Sequence, residues 1–164
     1  MKNKNNNQRK IIAFLVVLII ILFSLFYLKN SLPNLVLNNE TYSANALNFT
    51  VNVPSNFSAS DTGITLILKN DKGEISIIRN GTQYKDLKSY LSAQDLDLDY
   101  VVQGMTEIKI NGSSAISRTE ITGGKNLKLY YIYAPNSVYI LSTSSEDLYD
   151  ELDQIAASFK YTGD

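Results

Sequence analysis

No cysteine, histidine or tryptophan occurs anywhere in the 164-residue chain. Lack of cysteine removes disulfides, thiol chemistry and the attachment point of a bacterial lipid anchor, so the redox compartment leaves no mark on the sequence. Lack of histidine as well removes Ser-His-Asp and Cys-His catalysis and ordinary zinc sites. Basic side chains are short in supply past the N-terminus: from Lys29 onward eleven face sixteen acidic ones. That acidic balance argues against nucleic acid as a partner, since its binding depends on neutralising phosphates with Lys and Arg. Acidic residues, in turn, are missing from the start of the chain until Glu40.

What the start does contain is Lys2, Lys4, Arg9 and Lys10, followed by the uninterrupted run IIAFLVVLIIILFSLFYL from Ile11 to Leu28. As a helix this segment would span roughly 27 Å, close to the ~30 Å hydrocarbon core of a bilayer. Fifteen of its residues are Leu, Ile, Val or Phe, which favours insertion by roughly 5 kcal/mol. A cleaved signal peptide also begins with a basic stub, but its apolar stretch is shorter and a small-x-small site follows closely. Here the A-x-A sequence is Ala44-Asn45-Ala46, well past the apolar end. A retained anchor is therefore expected, with the basic stub 1–10 in the cytoplasm and everything after residue 28 translocated. The expected layout is stub 1–10, transmembrane helix 11–28, an Asn-rich linker 29–40 and an extracytoplasmic domain 41–164.

Within that domain, apolar residues alternate in short runs bounded by turn signals. Leu47, Phe49, Val51 and Val53 alternate with polar neighbours up to Pro54, and Ile64, Leu66 and Leu68 lead through Asn70-Asp71-Lys72-Gly73 into 74–79. Asn111-Gly112 joins 107–110 to 115–122, Gly123-Gly124 leads to 127–134, and Pro135-Asn136 to 138–143. Such hairpin connections imply antiparallel pairing. Helices are expected at 85–92, with Leu87, Tyr90 and Leu91 on one face, and near the C-terminus. There Leu148, Leu152, Ile155, Ala156 and Phe159 form a stripe, and acids crowd the N-terminal half where the helix dipole favours them. The expected fold class is α+β: a largely antiparallel sheet of about seven strands with one or two packed helices, preceded by the transmembrane helix.

The pieces FTVNVPSNF at 49–57, INGSSAISRTEI at 110–121 and LYYIYAPNSVYILSTSSEDLYDELDQIAASFKY at 129–161 resemble PsbP-like domains. Phe57 stands where relatives often carry Trp. The resemblance implies an antiparallel sheet with helices packed on it, and names no catalytic residue. Its family includes photosystem extrinsic subunits, a Ran-binding import factor and bacterial envelope proteins, so a shared fold carries little function with it.

Few motifs point to chemistry. Asp95, Asp97 and Asp99 in DLDLD suggest a calcium loop, but the glycine and glutamate such a loop needs are replaced by Tyr100 and Thr106. The alternation with Leu96 and Leu98 fits an edge segment with a wet acidic side. Gly123-Gly124-Lys125 lacks the spacing of a phosphate loop and reads as a hairpin turn. Tyrosine suits strands and contact surfaces alike, which makes Tyr130 and Tyr139, with Asp95, Asp97 and Asp99, the candidate contact surface. No catalytic residue, metal ligand or cofactor is expected. The reading is a non-catalytic binding or accessory domain of the cell envelope, held in the bilayer through residues 11–28 and serving a protein partner. The competing readings are an assembly subunit acting through its transmembrane helix, and a hydrolase built on carboxylates or a Ser/Lys pair.

Overall fold

A computed structural model describes residues 39–97 and 100–163. The expected stub, anchor and most of the linker lie outside these residues. Among the described residues no helix is long and apolar enough to cross a membrane. Among the described residues ten strands form two antiparallel sheets and two α-helices pack on the larger one, which is the expected α+β class.

The small sheet places β2 (Phe49–Pro54) between β1 (Asn39–Ala44) and the two-residue β10 (Lys160–Tyr161). The large sheet has the order β3 (Ser58–Asp61), β4 (Thr65–Asn70), β5 (Gly73–Gly81), β9 (Ser137–Thr143), β8 (Lys125–Ala134), β7 (Ser113–Thr122), β6 (Val101–Ile110). The anticipated hairpins are present. The turn at Asn111-Gly112 has positive φ at both residues, +47° and +87°, the geometry that continues the right-handed twist of the flanking strands and that Asn-Gly tolerates.

Both faces of the large sheet are covered. On one, Leu66, Leu68, Ile75, Ile77, Ile132 and Leu141 pack against Phe49 and Val51 of β2 and against helix α2 (Tyr149–Ser158). On the other, Ile116, Leu129, Tyr131 and Val138 pack against helix α1 (Leu87–Gln94). The middle strands β8 and β9 thus bury side chains on both sides, which is why their sequences run YYIYA and SVYIL instead of alternating strictly.

Local chemistry explains the helix bounds. Asp86 caps α1 by accepting from the Ser89 amide at 2.8 Å, so the helix starts two residues later than its apolar pattern suggests. Leu87, Tyr90 and Leu91 are buried as expected. In α2 the stripe Leu152, Ile155 and Ala156 is fully buried, along with Leu148 before it and Phe159 after it. Asn111 reaches from the β6–β7 turn and donates to the Ala157 and Phe159 carbonyls at 3.2 and 2.7 Å, satisfying acceptors that a helix end leaves open. Glu151 sits at the rim of the helix, bonded to Lys72 at 2.6 Å.

Some boundaries differ from expectation. Asn39 and Glu40, assigned to the linker, belong to β1, a polar edge strand held by its ladder to β2. The strand expected at 107–110 starts at Val101. Asp95–Asp97 is a 3-10 turn continuing α1 instead of an edge strand, because Asp95 is drawn to a buried arginine.

Candidate functional site

That arginine is Arg118, on the α1 face of β7 and almost wholly buried at 1% exposure. Burying a guanidinium demands partners for its donors and its charge, and four side chains surround it, two of them as hydrogen-bond acceptors. Nη1 and Nη2 donate to the two Asp95 carboxylate oxygens at 3.0 and 2.8 Å, a bidentate fork. Nη2 also meets the Tyr100 hydroxyl at 2.5 Å. Nε lies 2.7 Å from Glu120 Oε1, but its N–H is not aimed at that oxygen, so the contact is an ion pair and not a linear hydrogen bond. The rings of Tyr100 and Tyr131 take the guanidinium carbon at 5.1 and 5.7 Å from their centroids, within cation–π range.

The electrostatics follow. Burial would lower the Arg118 pKa, but the bonds to Asp95 and the charge of Glu120 hold it above its ordinary value. Tyr131, which donates to Glu120 at 3.1 Å, is pushed up first by burial and then by the Glu120 charge. Burial, helped by the bond to Asp95, pushes Tyr100 up to about 12. One cation faces two carboxylates and two tyrosines that stay protonated. The cluster fastens the end of α1 to the sheet. Nothing in it is a free base or nucleophile.

The expected contact residues divide. Asp95 is half-exposed but committed to Arg118. Asp97 lies in the same short turn, and Asp99 lies outside the described residues. Tyr130 is 9% exposed, and its hydroxyl donates to Asp153 of α2 at 2.7 Å. Tyr139 is no surface residue. It has no exposure at all, its hydroxyl donates to the Leu47 carbonyl at 2.5 Å, and its ring packs on Phe49 and Phe159 at 5.5 and 4.9 Å. A tyrosine whose hydroxyl finds a buried carbonyl can sit in a core as phenylalanine does, and spacing alone does not reveal that carbonyl. Arg118 escaped the sequence reading for a similar reason, being one basic residue in a polar-looking strand. Its signal was faint: an arginine two residues from a glutamate on one strand face, next to Ile116.

Tyr130 carries a pH dependence. Burial and the bond to Asp153 push it up to about 12 from an ordinary 10.0. A folded-state pKa above the unfolded one gives stability that is complete below pH 10 and lost as pH rises towards about 12. Denaturation midpoints measured across that window should fall for the wild type, and less steeply for Tyr130→Phe. Identical slopes would mean this phenol is not protected by the fold.

Two clefts remain. One of about 490 Å³ lies beside the start of α1, lined by Asp86, Lys88, Glu107, Lys109, Ile108 and Ile116 among others. Its carboxylates are occupied: Asp86 caps α1, and Glu107 pairs with Lys88 at 2.9 Å. A second, of about 340 Å³, lies towards α2 and includes Ile108, Ile110, Tyr130, Asp153 and Ala157. Among the described residues no three His, Cys, Asp or Glu side chains are grouped to hold a metal ion.

The fold with these features is PsbP-like. Cyanobacterial PsbP (CyanoP) from Synechocystis superposes with a TM-score of 0.53 at 12% identity, over 80% of this chain and 97% of that one. A crystal structure from Bacteroides thetaiotaomicron gives 0.55 at 13% identity over 77% of this chain, which spans about half (49%) of that longer protein. No family model and no curated protein matches the sequence. At such identities the likeness is one of fold.

Proposed function

We propose that the chain is a membrane-anchored, extracytoplasmic accessory domain of a cell envelope, binding a protein partner without catalysing a reaction. The observation that carries this reading is the joining of a basic stub and an eighteen-residue apolar run, Ile11–Leu28, to a domain of PsbP-like fold. Support for the non-catalytic part comes from the most deeply buried arginine and tyrosines of the domain, which are engaged within the fold. Arg118 is closed by Asp95, Tyr100 and Glu120, Tyr130 by Asp153, and Tyr139 by a backbone carbonyl. An enzyme would instead aim unspent acid, base or nucleophile into a cleft.

Two measurements test the proposal. A reporter fused after Asp164 should be active only when it reports from outside the cytoplasm, and the mature protein should keep its N-terminal segment. A processed N-terminus near Leu47 would overturn the anchor. Crosslinking in native membranes should recover a protein partner attached through the domain. Loss of that partner on exchanging residues 11–28 for an unrelated transmembrane helix would instead favour an assembly subunit acting through its anchor.

A further inference from the structure

The two edges of the large sheet are unlike. β3 is four residues long, polar and fully exposed. β6 is ten residues long, and among the described residues no strand pairs with its outer side. An unpaired edge of that length is a template for another strand unless something blunts it. A bulge between Val102 and Gly104 breaks the ladder in its first half, which leaves Met105 to Ile110 as the regular stretch. Because the turn Asn111-Gly112 has two residues, Ile110 and Ser113 are the closing pair. The outward-pointing amides and carbonyls therefore belong to Lys109, Glu107 and Met105.

Side chains on this stretch sort by face. Glu107 lies opposite Ile116, on the α1 side, and Lys109 follows it there; Ile108 lies opposite Ala115, on the α2 side, with Ile110. A cleft flanks the strand on each side. The one towards α1 adds Asp86 and Lys88 with Leu87 and Ile116, while the one towards α2 adds Tyr130, Asp153 and Ala157. Ile108 and Lys109 border both clefts, so the two meet along the β6 edge. An incoming strand would have to present both charge signs on one face and aliphatic groups on the other. β6 itself has that pattern.

We propose that β6 pairs antiparallel with β6 of a second copy, centred on Ile108, so that the large sheet continues across a two-fold axis. In this register each Glu107 lies opposite Lys109 of the other copy, giving two reciprocal opposite-charge pairs. Centring on Glu107 or on Lys109 instead would set like charges against each other. Glu107 already holds Lys88, and Lys109 makes no ion pair among the described residues, so the pairing gives Lys109 its counter-charge. Ile108 meets Ile108 on the α2 face, next to Ile110.

The absence of cysteine makes a direct test available. Ile108→Cys in the full-length chain, in its membrane, places two thiols on a non-hydrogen-bonded cross-strand pair with Cα atoms about 4.5 Å apart, inside the disulfide range. Mild oxidation should give a disulfide-linked dimer, and Ser60→Cys on β3 should not. Sedimentation of the cysteine-free full chain in detergent supplies a readout independent of how well Ile108→Cys folds. The wild type should be dimeric, Glu107→Lys or Lys109→Glu alone should weaken the dimer about tenfold, and the double exchange should restore it. A monomeric wild type, single reversals that leave the dimer intact, or Ile108→Cys joined to a different protein would each overturn the proposal.

Discussion

Phe159→Ala should lower the stability of the domain by about 3–5 kcal/mol, and Leu152→Ala by about 2–5 kcal/mol. Phe159 is 1% exposed and stacks on Phe49 with centroids 5.2 Å apart, while its other neighbour is Tyr139 at 4.9 Å. These three rings join the small sheet, the end of α2 and the middle of the large sheet. Removing one opens a cavity where these elements meet. Leu152, without exposure, does the same from the first half of α2. A ten-residue helix would be marginal by itself in water, so tertiary burial must hold it. Against a total stability of about 5–15 kcal/mol either loss is severe. Glu151→Ala is the control: its ion pair is with Lys72, whose side chain is 44% exposed, and screened pairs of this kind contribute little. Urea midpoints should therefore drop strongly for the two core variants and barely for Glu151→Ala. Equal, small shifts in all three would make α2 peripheral.

The success of that stripe as a sequence signal shows what was legible. Apolar period and turn chemistry are written in adjacent residues, so the hairpins at Asn111-Gly112, Gly123-Gly124 and Pro135-Asn136 and both helices could be read directly. Strands without an apolar face could not. NETYSA of β1 and SASD of β3 carry no alternation, and they are strands only because β2 and β4 offer ladders to them. The first half of β6 was hidden likewise, since VVQGM mixes a bulge with an exposed edge.

Polar sites were less legible still, because they depend on which distant residues meet. DLDLD has the look of a strand or a metal loop by itself. Its first aspartate is instead turned inward by an arginine 23 positions later. The tyrosines separate for the same reason. Tyr130 and Tyr139 are alike in sequence, yet one bonds a helix carboxylate at the rim and the other a carbonyl in the core. The ability of a tyrosine to be either is a property of its partner.

The arginine network gives the second large effect. Arg118→Met should destabilise the domain by about 3–5 kcal/mol, since it leaves carboxylates without their buried counter-charge. Glu120 would suffer most: it is 4% exposed, and Tyr131 would be its remaining hydrogen-bond partner. The end of α1 would suffer next, because Asp95 and Tyr100 are held to the sheet through the guanidinium. Most of this loss reflects a stranded charge and not the net value of the pairs, and that distinction can be measured. In Arg118→Met/Glu120→Gln the neutral amide still accepts from Tyr131 and no buried anion remains. The double variant should therefore regain a large part of the loss, a coupling typical of residues in one network. Asp95→Asn, whose carboxylate is 36% exposed, should cost less than Arg118→Met. The comparison also separates fastening from ligand binding. An arginine kept for a ligand is a burden to the unliganded fold, and replacing it by methionine would leave the denaturation midpoint unchanged or raise it. A fastening arginine, held between this chain's own carboxylates and tyrosines, should give the large drop and its partial rescue.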